Sequence, residues 1–257
     1  MANDEKYREL LKKVLVDLKD FLPYLVLVGG WVPFLYSQYV WKTHHKPITT
    51  VDIDFGFQDI PYKGKMTIAS RVRQQNYGEH HVEMGRLVPF VPVARLGKGD
   101  IKADIEFITS PKTSEKMKRK LIGEEIKINT IEDFEILLQD PVFIKVGALK
   151  VQVPNTAIFT LHKLLTFVER DRVEKRLKDL YYAYFMLRFC PDKTKIINEI
   201  KNLIKERKEG KKTFNNIKAF FGHKDDKGPV FIEKENGMDY FVRNVRMDAY
   251  DRITQLL

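Results

Sequence analysis

The stretch LVLVGGWVPF (25–34) and, after a gap of fourteen residues, TTVDIDFGF (49–57) decide how this chain is read. YLVLV (24–28) is a short, wholly apolar run, as in a strand buried on both faces. Gly29 and Gly30 follow as a tight turn, and WVPFLYSQYV (31–40) then has helical spacing, with Pro33 in the first turn, where proline is tolerated. In the second half Val51, Ile53 and Phe55 alternate with Asp52 and Asp54, so the period of two places both aspartates on one face of a strand. Their side chains stand roughly 7 Å apart along the chain. Two such anions repel unless a cation joins them. A hard divalent ion, Mg²⁺ or Mn²⁺, is the expected cation, because carboxylates and substrate phosphates are its usual ligands.

A third acid is expected on a neighbouring strand. IKADIEFIT (101–109) alternates in the same way, with Ala103, Ile105 and Phe107 opposite Asp104 and Glu106, and either acid fits the place. The glycine pair completes the picture. It lets backbone N–H groups approach a phosphate, with the start of the following helix pointing its positive end the same way. Alone, a D-x-D is often mere surface alternation and a G-G often a mere turn. Their order along the chain, with apolar partners facing a core in each strand, makes the joint signal sharper.

Working outward, residues 4–21 form an amphipathic helix with Leu10, Leu11, Val14, Leu15 and Leu18 on one side. A polar helix is expected near 66–75. RLVPFVPVARL (86–96) is expected as an edge strand or a pair of short strands, because its prolines exclude a central position, and GKGD (97–100) is a turn without P-loop spacing. Beyond about residue 150, VPNTAIFTLHKLLTFVER, RVEKRLKDLYYAYFMLRF and KTKIINEIKNLIKER have helical spacing, broken near Asp171 and Pro191. From Lys208 onward the chain is charged and weakly patterned, with a turn at DDKGP (225–229). The expected fold class is α+β. An N-terminal mixed sheet flanked by helices occupies 1–150, and a helical domain over 151–257 completes the active-site cleft.

Composition bounds the function. The 257 residues carry a net charge of +10, which favours polyanionic partners. The one cysteine, Cys190, excludes an intramolecular disulfide and suits a reducing, cytoplasmic setting. No charge interrupts 21–41, yet Pro23, Gly29, Gly30 and Pro33 would break a spanning helix, so no membrane partner is expected. No signal peptide is expected either. The pairs His44–His45 and His80–His81 lack the spacing of zinc ligands on one face, and LYYAYF (180–185) is core rather than a base-stacking platform.

VGGW…TTVDIDF…ADIEF resembles the nucleotidyltransferase superfamily typified by DNA polymerase beta, over roughly residues 25–190. The downstream half is similar to the abortive-infection (AbiEii-type) branch, toxins of bacterial toxin–antitoxin systems, in which one helix carries a lysine and the next an aspartate in a K-D-L context. Here these are Lys163 in TLHKLLTFVER and Asp179 in RLKDLYYAY. The resemblance implies an enzyme that moves a nucleoside monophosphate from ATP or another NTP to an acceptor hydroxyl. It implies Asp52, Asp54 and a third acid as catalytic metal ligands, with Asp104 favoured by position and Glu106 the fallback. Gly29, Gly30, Thr50 and Lys163 would contact the nucleotide, and Asp179 would orient Lys163 or the acceptor. RNA, including tRNA, would be the acceptor and an antitoxin a partner. A small-molecule acceptor, or an inactive nucleotide- or RNA-binding module, are the alternatives. The sequence departs from the family in a longer interval between Gly30 and Asp52, and in Ile48 where a basic residue often stands, with Lys46 nearby. Apart from the resemblance, Lys163 reads as a solvated helix lysine.

Overall fold

The computed structural model describes residues 2–48, 50–82, 86–94, 100–236 and 244–257. The GKGD turn falls largely outside them. The chain divides into two compact units, 1–35 with 49–154, and 36–48 with 155–257.

The first unit is built on one mixed sheet. Its helices are α1 (Ala2–Asp17), α2 (Trp31–Leu35), α3 (Ile68–Gln74) and α4 (Glu115–Leu121). Its strands are β1 (Val26–Val28), β2 (Ile53–Gly56), β3 (Gly78–His81), β4 (Leu87–Ala94), β5 (Asp100–Thr109), β6 (Ile128–Thr130), β7 (Val142–Val146) and β8 (Leu149–Val153). They run in the order β3-β4-β5-β2-β1-β8-β7, with β6 also on β5. The alternation expected in β2 and β5 is present. Ile53, Phe55, Ala103, Ile105 and Phe107 are buried, and Phe55 stacks on Phe107 at 6.1 Å. Leu10, Leu11, Val14 and Leu15 are buried too, so the apolar side of α1 faces the core as its spacing required, and Leu18 is buried in the turn after the helix, which ends at Asp17 rather than 21.

The prolines of β4 did not confine it to an edge. It lies between β3 and β5 as one eight-residue strand. Its pairing explains this. β3 pairs with residues 87–90 and β5 with residues 90–94, so the two ladders overlap only at Phe90. Pro89 and Pro92 each sit where a single neighbour is paired. Each position is locally an edge, which is where a missing N–H is tolerated.

The second unit is helical: α5 (Thr156–Thr166), α6 (Val173–Phe189), α7 (Lys193–Glu206), α8 (Lys208–Phe220), α9 (Lys227–Asn236) and α10 (Val245–Thr254). All eleven residues of α5 are buried. The Asn155 side chain caps its start by accepting from Ile158 N at 2.8 Å. Asn216 of α8 donates to the carbonyls of Leu164 and Leu165 at its far end. Tyr181, Tyr182, Tyr184 and Phe185 of α6 are core, as expected. The stretch after Lys208 is more ordered than its weak pattern implied, since it forms α8, α9 and α10. The DDKGP turn leads directly into α9, with Pro229 in the first turn.

The long interval between the glycine pair and Asp52 also has a structural account. The helix expected over 31–40 is five α-helical residues followed by a π-helical turn, closed by Trp41 N donating to Tyr36 O at 2.8 Å. From Tyr36 to Ile48 the chain belongs to the helical unit. His45 stacks on Phe189 at 4.2 Å, and Tyr182 Oη donates to Ile48 O at 3.4 Å. Among the described residues no helix is long and apolar enough to cross a membrane.

Candidate functional site

Strand register assembles the acidic face of the first unit. β1 and β2 are antiparallel with Val28 opposite Asp54, so the residue after the strand, Gly29, comes to lie against the Asp54 side chain. A Cβ at Gly29 would stand 1.9 Å from Asp54 Oδ2 and 2.9 Å from its Cγ. Gly29 also has φ +72°, a conformation that side-chain-bearing residues adopt only with strain. Glycine is therefore required here twice, once by the turn and once by the carboxylate seated on it. Gly30 is buried behind it. Because α2 is short, the case for phosphate at this turn rests on the glycine backbone rather than on a long helix dipole.

β2 and β5 are parallel with Ile53 opposite Ile105 and Asp54 opposite Glu106. Alternation then puts Asp54, Asp104 and Glu106 on the face opposite the phenylalanine core, with Asp52 in the bend just before β2. Asp52 is exposed, and the other three are half-buried. Trp31 Nε1 donates to the Asp52 carbonyl at 3.0 Å, which fixes the chain at the entry to β2. Thr50 lies half-buried just before it. Glu106 Oε2 accepts from Asn129 Nδ2 at 3.0 Å. Asp104 stands one alternation step further along β5, where His80 Nε2 comes within 3.1 Å of Oδ1. That is ion-pair distance without hydrogen-bond alignment, and Oδ1 is a buried oxygen that accepts no hydrogen bond. Both candidate third acids thus face the same side. Glu106 has the register beside Asp54, and Asp104 has His80 beside an oxygen that accepts no hydrogen bond.

The donor set suits a hard divalent cation. Carboxylate oxygens are its preferred ligands, and Asp104 Oδ1 accepts no hydrogen bond. Among the described residues no three His, Cys, Asp or Glu side chains are already gathered as a metal-holding group. Mg²⁺ does not demand such a cage, because one or two carboxylates with substrate phosphates and water commonly complete its shell.

The second unit holds a different charged cluster. Lys163 of α5 is buried, so the solvated reading of this lysine is overturned. Its Nζ donates to Asp179 Oδ1 of α6 at 2.5 Å, and Arg170 Nε donates to Oδ2 at 2.7 Å. Burial on its own would raise the Asp179 pKa. The charges and hydrogen bonds of Lys163 and Arg170 outweigh it and hold the carboxyl below its ordinary value. Beside this cluster His162 is buried and pushed down to about 3, first by desolvation and then by the Lys163 charge, so its imidazole stays neutral at pH 7.

Several partners were not visible in the sequence. Arg170 carries no local signal for this contact, since its place on Asp179 depends on how the turn before α6 folds back. Asn129 and His80 carry no local signal, since strand pairing alone brings them to Glu106 and Asp104. The basic residues Lys42, Lys46, Arg172 and Lys175 are exposed and lie in the helical unit, whereas Arg176 is half-buried and spends its Nε on Arg170 O at 2.6 Å.

A sequence model of the family described as nucleotidyltransferase matches residues 13–195, more than half of the chain. No match is found among curated proteins. Among solved structures, the chain is similar to an antigenic nucleotidyltransferase-like protein from Paracoccidioides brasiliensis, at 12% identity and TM-score 0.46, with 83% of this chain and 88% of that one covered.

Proposed function

The chain belongs to the nucleotidyltransferase family, and from that premise we propose that it transfers a nucleoside monophosphate from an NTP to an acceptor hydroxyl at the acidic face of β2 and β5. The observation that carries this reading is the register that sets Asp54 beside Glu106 and on top of Gly29. In the reading, Asp52 and Asp54 hold Mg²⁺, with Asp104 or Glu106 as the third acid. When bound, the ion offsets the charge of the triphosphate and favours ionisation of the attacking hydroxyl. The residues of this chain do the rest. The glycine turn admits the phosphates to the backbone. The third acid positions the acceptor hydroxyl and takes its proton as the new P–O bond forms at the α-phosphorus. The bond to pyrophosphate breaks in line. Lys163 offsets phosphate charge and Asp179 orients Lys163. Support for that last pairing is the direct contact between the two side chains.

RNA is the proposed acceptor and an AbiEii-type toxin the proposed biological role, supported by the basic charge and by the lysine–aspartate pair of α5 and α6. Incubating the protein with each labelled NTP, Mg²⁺ and total RNA, with gel analysis, tests this. Label in a discrete RNA band supports the proposal, and label only in small acceptors would replace RNA with a small-molecule substrate. Counterion release makes RNA affinity fall by at least about tenfold between low and moderate salt if several phosphates are contacted. Reversing the exposed Arg172 and Lys175 to glutamate should weaken RNA binding while sparing NTP binding. A flat salt response would remove RNA from the account.

A further inference from the structure

Helix α7 is only partly covered by its own unit. Its apolar stripe runs Ile196, Ile197, Ile200, Leu203 and Ile204, but of these only Ile200 is fully buried. The other four are half-buried, in contrast to α5, where every residue is inside. At its C-terminal end this stripe opens into a groove of about 310 Å³ floored by Ile204, Phe214, Leu256 and Leu257 and rimmed by Lys201, Lys205 and Lys211.

The groove is shaped by one close contact. Gly210, in the first turn of α8, packs onto the end of α7, and a Cβ there would fall 2.2 Å from Ile204 O and 2.4 Å from its Cα. The two helices are separated by Arg207 alone. Gly210 lets them meet at a sharp corner, which brings Lys211 to the same rim as Lys201 and Lys205.

The rim is electrostatically uncompensated. Lys195 and Lys212 on the same two helices have carboxylate partners, Glu199 and Glu169. Among the described residues Lys201, Lys205 and Lys211 have no ion pair and no side-chain hydrogen bond. An aliphatic floor under three unpaired ammonium groups is complementary to an amphipathic acidic segment. Such a helix inserts aliphatic side chains at i, i+3 and i+4 and presents carboxylates at its flanks. Nucleic acid fits the groove less well, since its floor is mostly aliphatic and its half-buried Phe214 already holds Lys218 Nζ over the ring at 4.5 Å.

We infer that the α7–α8 groove is a docking site for an acidic, amphipathic helical segment of a partner protein, separate from the acidic face that handles nucleotide. The contact residues lie in the helical unit and include none of the candidate site residues, so docking and transfer are independently testable. The probe is a fluorescein-labelled helical peptide with Leu at heptad spacing and Glu elsewhere, titrated with the full chain by fluorescence anisotropy at moderate salt. A peptide with Lys in place of Glu, a single-stranded oligouridylate and the Lys116→Glu, Arg119→Glu, Lys120→Glu variant of α4 are the controls.

Saturable binding of the acidic peptide alone is expected. The Lys201→Glu, Lys205→Glu, Lys211→Glu variant should bind it at least about tenfold more weakly, the equivalent of about 1.4 kcal/mol. Its melting temperature should be retained, and Ile204→Asn should also weaken binding. The α4 variant should bind normally. The inference is overturned if the acidic peptide does not saturate, if the groove variant keeps full affinity, or if the α4 reversal weakens binding equally, which would mean general charge attraction. Tighter binding of oligouridylate in competition would replace the peptide with nucleic acid and equally overturn it.

Discussion

The two units treat buried and half-buried acids in opposite ways. In the helical unit, Asp179 is enclosed and both its oxygens are satisfied internally, by Lys163 and Arg170. In the sheet unit, Asp54, Asp104 and Glu106 lie on one face of β2 and β5, with Asp52 just before β2. Among their neighbours are the Asn129 amide at Glu106, His80 at Asp104 and the Gly29 turn at Asp54. In the first arrangement the carboxylate is met by two cations of its own unit. On the proposed reading the second is the face that a divalent cation and the nucleotide phosphates would join.

The contrast can be broken in several ways, and the largest effect should come from Asp179→Asn. It leaves Lys163 buried with its counter-charge gone. Removing one partner from a buried pair costs about 3–5 kcal/mol, to be read from urea unfolding. The chain has two tryptophans, and Trp31 and Trp41 fall in different units, so a Trp31→Phe background reports the helical unit alone. A loss under about 1 kcal/mol, the scale of a surface pair, would show that the cluster is hydrated and not closed.

Gly29→Ala should cost about 1–3 kcal/mol through its left-handed backbone alone. It should also weaken NTP binding, because the new methyl displaces the Asp54 carboxylate. Unchanged stability together with unchanged NTP affinity would make the turn incidental.

Acid should loosen the helical unit through His162. Its folded pKa of about 3 lies below the ordinary 6.5, so between those values the unfolded chain binds the extra proton. Stability is fully present above about pH 6.5 and falls as pH drops toward 3, by up to about 1.4 kcal/mol per unit. Asp179, whose folded pKa is lowered, adds a further loss only at more acid pH, as its carboxyl protonates. Unfolding midpoints followed through Trp41 between pH 7 and 5 should show the slope, and a flat profile would place His162 in water. The smallest effect should come from Glu169→Gln. It breaks the half-exposed bond from Lys212 in the same unit, and such pairs are worth no more than about 1 kcal/mol.

Much of the sheet unit was legible because period-two alternation with one wholly buried face is a local signal. Ile53, Phe55, Ile105 and Phe107 announce both strands and both acid pairs. The third acid was not resolvable from sequence, since the choice between Asp104 and Glu106 turns on pairing with β2, β4 and β6, and register is a long-range property. Helix α8 was hidden by its own construction. It starts one residue after α7, is rich in lysine and carries Gly210 where a helix former would be expected. The glycine is there for the close crossing with Ile204 rather than as a breaker. Lys163 looked solvated because its partner lies sixteen residues away on another helix. Burial of that kind is decided by packing and leaves no mark in local charge pattern.

The most direct test of the acidic face is to measure nucleotide transfer and unfolding side by side in Asp52→Asn and Asp54→Asn. Each change removes a ligand charge with almost no change in volume. The account predicts transfer reduced by at least about a hundredfold, the loss of several kcal/mol of transition-state stabilisation. Metal-free stability should be unchanged or higher, as carboxylate repulsion is relieved. Full transfer in both variants would contradict it.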